Sequence, residues 1–204
     1  ELISLTAFYK LIKNPISRIE VASAGGYLSY ENIADKATVA GVEVEVRKNL
    51  FVRPLSSAAN GMNKLSFGLN GSYIYTNAKM PLATVTTGSQ LEGAAPWIAN
   101  FDLSHNFTKG NHSFINTLVF NYVSDKIYTI GTQGYQDIIE QGMMTLDFVS
   151  QAKLNKYVSL TLKARNLLNP SYKLSRKANE SGEKVVLSDY KKGINISLGV
   201  SCTF

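Results

Sequence analysis

Two histidines, one cysteine and a scatter of charged residues are the side chains of this 204-residue chain with the most obvious chemistry. Ser104-His105 and His112-Ser113 each offer a hydroxyl nucleophile beside an imidazole base, the ingredients of acyl transfer. Adjacent residues on an extended strand point to opposite faces, so Ser104 and His105 cannot meet there as a working pair. His112 falls in an expected turn. Two histidines so placed, with no close ladder of carboxylates, make a poor metal site. The lone Cys202 excludes an intrachain disulfide and a cysteine-based metal site. No catalytic residue, metal or cofactor is expected.

The remaining charges sit at every second position of apolar segments. Glu43, Glu45 and Arg47 alternate with Val42, Val44 and Val46, and Lys163 and Arg165 alternate with Leu162 and Ala164. Asp102 and Asp147 are placed the same way between Phe101 and Leu103, and between Leu146 and Phe148. A dry core would not tolerate such charges unpaired, so their face needs water or partners.

Period-two alternation of this kind recurs about eight times. The segments are 2–12, 36–48, 65–76, 97–107, 113–124, 143–153, 158–166 and 194–204. Most match the roughly 9–11 residues of a tilted membrane strand. The last is the cleanest: Ile194, Ile196, Leu198, Val200, Cys202 and Phe204 oppose Asn195, Ser197, Gly199, Ser201 and Thr203. One greasy face and one small, polar face suit a wall with lipid outside and a wet lumen inside.

Mean hydropathy is −0.05, which such a wall allows because only alternate residues meet lipid, and no run approaches the ~18 apolar residues of a membrane helix. Trp97 and Tyr75 are expected as interfacial anchors. The net charge of +6 is dispersed. Its densest cluster, Lys173, Arg176 and Lys177, lies in an expected loop without an aromatic–basic motif, so no nucleic-acid partner is expected. The chain opens on Glu1 with no secretory leader before its first strand pattern. A piece of a longer polypeptide is the favoured expectation.

Long links at 13–35, 77–95, 125–142 and 168–191 alternate with tight ones at 108–112 and 154–157. Outer-membrane barrels carry long loops outside and short turns in the periplasm. The link 49–63 breaks this pattern. Residues 171–190 are expected to be a solvated outer loop.

Several segments, in order, resemble the carboxy-terminal part of TonB-dependent outer-membrane receptors, particularly those of Bacteroidota-type bacteria. They are Ser4-Leu5-Thr6-Ala7-Phe8-Tyr9-Lys10 with Asn14-Pro15-Ile16, then Tyr30 and Asn32 ahead of Gly41-Val42-Glu43-Val44-Glu45-Val46. Leu91-Glu92-Gly93-Ala94-Ala95-Pro96-Trp97 and Ala164-Arg165-Asn166-Leu167-Leu168-Asn169-Pro170-Ser171-Tyr172 follow, and the closing strand completes the set.

The resemblance implies an all-β fold of antiparallel transmembrane strands, residues 1–204 forming the last eight or so of a plugged barrel of about 22 strands. It implies uptake of a scarce, bulky nutrient such as a metal chelate or glycan across a Gram-negative outer membrane. Glu43, Glu45, Arg47, Asp102, Asp147, Lys163 and Arg165 become lumen or plug contacts. Asp102 and Asp147 are expected to pair with Lys163, Arg165 or Arg47 in preference to touching cargo. Ser197, Gly199, Cys202 and Phe204 resemble the signal read by the barrel-assembly machinery, with Cys202 standing where an aromatic is usual. Other implied partners are membrane lipid, the rest of the barrel with its plug, and a surface lipoprotein. TonB would be reached through amino-terminal segments with no match here. The alternative is a self-contained eight-stranded outer-membrane barrel with a structural or adhesive role; a soluble β-barrel carrier of a small hydrophobic ligand is a third reading.

Overall fold

The computed structural model describes residues 1–21, 27–55, 61–79, 90–132, 134–178 and 182–203. Every regular element among them is a strand. In chain order they are β1 (Leu2–Lys13), β2 (Ile16–Glu20), β3 (Leu28–Asn32), β4 (Lys36–Leu55), β5 (Gly61–Ala78), β6 (Trp97–Lys109) and β7 (His112–Val123). Then come β8 (Lys126–Thr129), β9 (Ile138–Glu140), β10 (Met143–Lys153), β11 (Val158–Arg165), β12 (Ser171–Lys177), β13 (Lys184–Lys191) and β14 (Asn195–Cys202).

Eight of them form one antiparallel wall in the order β1-β4-β5-β6-β7-β10-β11-β14. The register carries the alternation of each strand across to the next, because directly opposed residues share a face. Ile3, Val46, Leu69, Phe101, Phe120 and Leu146 stand in one cross-strand row. One residue along, Ser4, Glu45, Asn70, Asn100, Asn121 and Thr145 form the matching row on the other face. One side of the wall is therefore predominantly apolar and the other predominantly polar, the exceptions being a His105-Asn116-Ser150 row on the first and Val119 and Val149 on the second. Its apolar side chains stay uncovered by protein, Ile3 being 82% and Leu198 71% exposed.

β1 and β14 are the two edges of this sheet. Among the described residues these two strands are not paired with each other. The expected long link 49–63 is corrected as well. β4 runs on to Leu55 and β5 starts at Gly61, leaving residues 56–60, which lie outside the described set. A bulge between Asn49 and Phe51 moves the register by one residue and puts Phe51 opposite Leu65. That extra residue breaks the period-two pattern, which is why the alternation faded after Lys48.

The four long links lie at one end of the wall, and three of them carry strands of their own. β8, β9, β12 and β13 form a second sheet in the order β13-β12-β9-β8, and β2 pairs with β3. A parallel bridge between Ile19 and Ile130 joins the two pieces. The resulting cap reads β3-β2-β8-β9-β12-β13. Residues 171–190, expected as a solvated loop, are instead the β12–β13 hairpin, whose apolar positions are thrown out of phase by a bulge between Leu174 and Ser175.

The buried hydrophobic cluster lies in and under this cap. Ile19, Ile33, Ala34, Ile127 and Ile130 pack with Ala37 and Ala78 from the outer ends of β4 and β5, and Leu91 and Ile139 lean on them. Ile130 is 0% exposed. A single-layer wall has no interior, so burial occurs where chain folds over chain.

Candidate functional site

Strand parity sends the expected lumen residues to the polar face. Arg47 Nε lies 2.6 Å from Glu45 Oε1, two residues along the same face of β4. Asp102 occupies Arg47's cross-strand row, with Gly68 between them. A Cβ on Gly68 would stand 2.3 Å from Asp102 Oδ1, so the missing side chain gives the carboxylate room over β5. Glu43 faces the same way, opposite Ser72. Asn100 Nδ2 donates to Asn70 Oδ1 at 3.5 Å and Asn121 Nδ2 to Thr145 Oγ1 at 3.1 Å, extending a polar belt across four strands.

Asp147 has a different task from the ion pair expected of it. Its Oδ1 accepts the Asn166 backbone N–H at 2.8 Å and anchors the turn that follows β11. Asn166 and Asn169 hold left-handed backbone angles, φ 59° and 45°, which asparagine tolerates better than most residues. Asn166 Nδ2 donates to the Gly193 carbonyl at 2.7 Å, and the Gly193 N–H donates to Asn169 Oδ1 at 3.0 Å. The turn thus staples the end of β11 to the start of β14. Beside it, Asp147, Arg165, Tyr172, Lys192 and Asn195 line a cavity of about 390 Å³ at the outer end of the polar face. Lys163 sits lower on that face, between Val149 and Ser197.

Tyr75 and Trp97 both stand on the apolar face. Tyr75 is exposed opposite Ala40, and Trp97 lies opposite Tyr73 with ring centroids 4.5 Å apart. Ten residues along β6, Phe107 meets Phe114 at 6.4 Å. Ten strand residues at ~3.3 Å rise and ~40° tilt span ~25 Å, the height of a membrane barrel's apolar band. Cys202 opposes Val158 on the same face, while Ser197 and Gly199 face the polar side. Phe204 lies outside the described residues. Ser104 and His105 part as strand geometry requires: Ser104 Oγ meets Thr117 Oγ1 at 3.2 Å on the polar face, and His105 Nε2 meets Asn63 Oδ1 at 2.8 Å on the other.

The residues that organise the cap were missed by sequence reasoning. Arg18 of β2 bonds through Nε to the Tyr128 carbonyl at 3.1 Å, stacks its guanidinium 3.7 Å over the Tyr128 ring, and pairs with Glu92 at 3.4 Å. Glu92 belongs to the Leu91–Trp97 motif, whose Gly93 N–H reaches the Ile127 carbonyl at 2.8 Å with φ 75°. Arg176 of β12 bonds Glu20 of β2, and Lys126 pairs with Glu140 at 3.3 Å. Three long links are tied by the Arg18 side chain, and Arg176 brings in the fourth. Burial, with the Glu140 carboxylate close by, pushes the Tyr172 phenol up to about 12. A hydrogen bond from Lys173 holds the Asp189 carboxyl below its usual range.

No group of three or more His, Cys, Asp or Glu among the described residues could hold a metal ion. What the arrangement offers is a wall with one mainly apolar and one mainly polar face, and a knitted cap at one end. A search of curated proteins and a search of solved structures each found no match. A family model described as TonB dependent receptor-like, beta-barrel matches residues 1–167. That match takes in β1 through β11, seven of the eight wall strands. The chain belongs to the TonB-dependent receptor β-barrel family, whose members are receptors and transporters of the Gram-negative outer membrane.

Proposed function

We propose that residues 1–204 are the carboxy-terminal barrel wall of a TonB-dependent importer of a scarce, bulky nutrient such as a metal chelate or glycan. β14 closes the barrel against the first strand of the amino-terminal part, and the polar face surrounds the plug. Glu43, Glu45, Arg47, Asp102 and Lys163 contribute plug contacts, and the cavity beside Asp147 and Arg165 lies on the cargo's path. Ser197, Gly199, Cys202 and Phe204 present the closing strand to the barrel-assembly machinery. TonB is engaged through the plug side, and a surface lipoprotein would meet the cap.

The observation that carries this reading is the eight-strand wall with one predominantly apolar face, its edges at β1 and β14, capped at one end. A soluble carrier would cover that face, and a self-contained barrel would join those edges. The test is accumulation of labelled metal chelates and oligosaccharides by cells with and without the whole receptor, before and after collapse of the proton-motive force. Receptor-dependent, energy-dependent accumulation of one class is expected. Equal accumulation in both strains across the panel would overturn it.

A further inference from the structure

The cap repeats the strand order of the wall beneath it, and both tiers end at the same two flanks. β3 and β2 rise from the link after β1, β8 and β9 from the link after β7, and β12 and β13 from the link before β14. The middle of the cap is closed, with Ile130 and Ser175 fully buried. On its β14 flank, β13 is an edge strand among the described residues, and Val185, Val186 and Leu187 are 45, 52 and 46% exposed. An edge left to face water is ordinarily guarded by charge, a proline or a twist. Here Lys184, Asp189 and Lys191 flank three consecutive apolar residues, the last of which, Leu187, is the extra residue of the bulge against β12.

We infer that β13 takes a further strand by β-addition, and that this strand comes from an outer loop of the receptor's own amino-terminal barrel strands. The inference rests on the proposed closure of the barrel at β14. That closure brings the first wall strands, and the loops above them, alongside the flank where β13 lies. The added strand would satisfy the unpaired backbone groups of β13 and cover Val185, Val186 and Leu187, as strand addition does elsewhere. The seam between the two ends of the barrel would then be zipped above the membrane as well as within it.

The experiment uses the whole receptor in outer membranes, with a photo-crosslinking amino acid at Val186, at Ile196 on β14 as a seam control, or at Lys156 in the opposite turn. Linked peptides are mapped by mass spectrometry. The expected result is a mobility-shifted monomer linked from Val186 to an outer loop of the amino-terminal barrel, absent from the Lys156 sample. If Ile196 links to the first wall strands while Val186 gives no product, or an adduct with another polypeptide such as a surface lipoprotein, the strand addition is wrong and the closure stands. If Ile196 also fails to reach the receptor's own strands, the closure itself is wrong and the inference falls with it.

Discussion

Asn166 shows how much a single residue of the turn after β11 carries. It holds a left-handed φ of 59° and donates to the Gly193 carbonyl at 2.7 Å. Asn166→Gly keeps the backbone but loses the bond, at a cost of about 1 kcal/mol. Asn166→Ala adds backbone strain of ~1 kcal/mol, so alanine should lower the urea midpoint in vesicles more than glycine does. The opposite order would show that the turn is not held by this geometry. Tyr172 provides a pH test. Its folded pKa is raised to about 12 from an ordinary 10. The folded protein holds that proton more tightly, so the contribution to stability is complete below pH 10 and fades as pH climbs toward 12. Absorbance of phenolate should show one tyrosine ionising late in the folded receptor, and Tyr172→Phe should remove that late step. The opposite faces of Ser104 and His105 were legible from strand parity alone. The partners of Asp147 and Arg18 were not, since both depend on segments brought together across the chain.

At the scale of elements, the wall was read well because period two survives wherever one face meets lipid and the other water. It was lost beyond Lys48, where a bulge moves the register, and in the cap, whose strands are three to eight residues long and carry apolar positions out of phase. Those short strands are held by cross-link chemistry more than by pattern. Arg18→Ala takes the guanidinium from Glu92, which keeps only the backbone N–H of residue 18, a loss of about 2 kcal/mol for a hydrogen bond to a charged group. Limited proteolysis from outside the cell should then cut within the long links, while the wall keeps its resistance to heat and detergent. Loss of both would mean that the cap and wall are one cooperative unit.

For the molecule as a whole, the decisive property is that the environment changes with every residue along a strand. Leu103 and Ser104 are neighbours on β6, yet Leu103 shares a row with Phe67 and Leu118 and Ser104 one with Ser66 and Thr117. Leu103→Arg should therefore destabilise the receptor by ~2–4 kcal/mol near mid-bilayer, and Ser104→Arg by much less, as read from unfolding in vesicles. The most direct measurement places an environment-sensitive fluorophore on single cysteines at Val44, Glu45, Leu103, Ser104, Leu162, Lys163, Val200 and Ser201, in a receptor carrying Cys202→Ser and folded into vesicles. Brominated lipid should quench Val44, Leu103, Leu162 and Val200, and an aqueous quencher should reach Glu45, Ser104, Lys163 and Ser201. Quenching of the first four by the aqueous reagent, or by neither reagent, would contradict a wall standing between hydrocarbon and water.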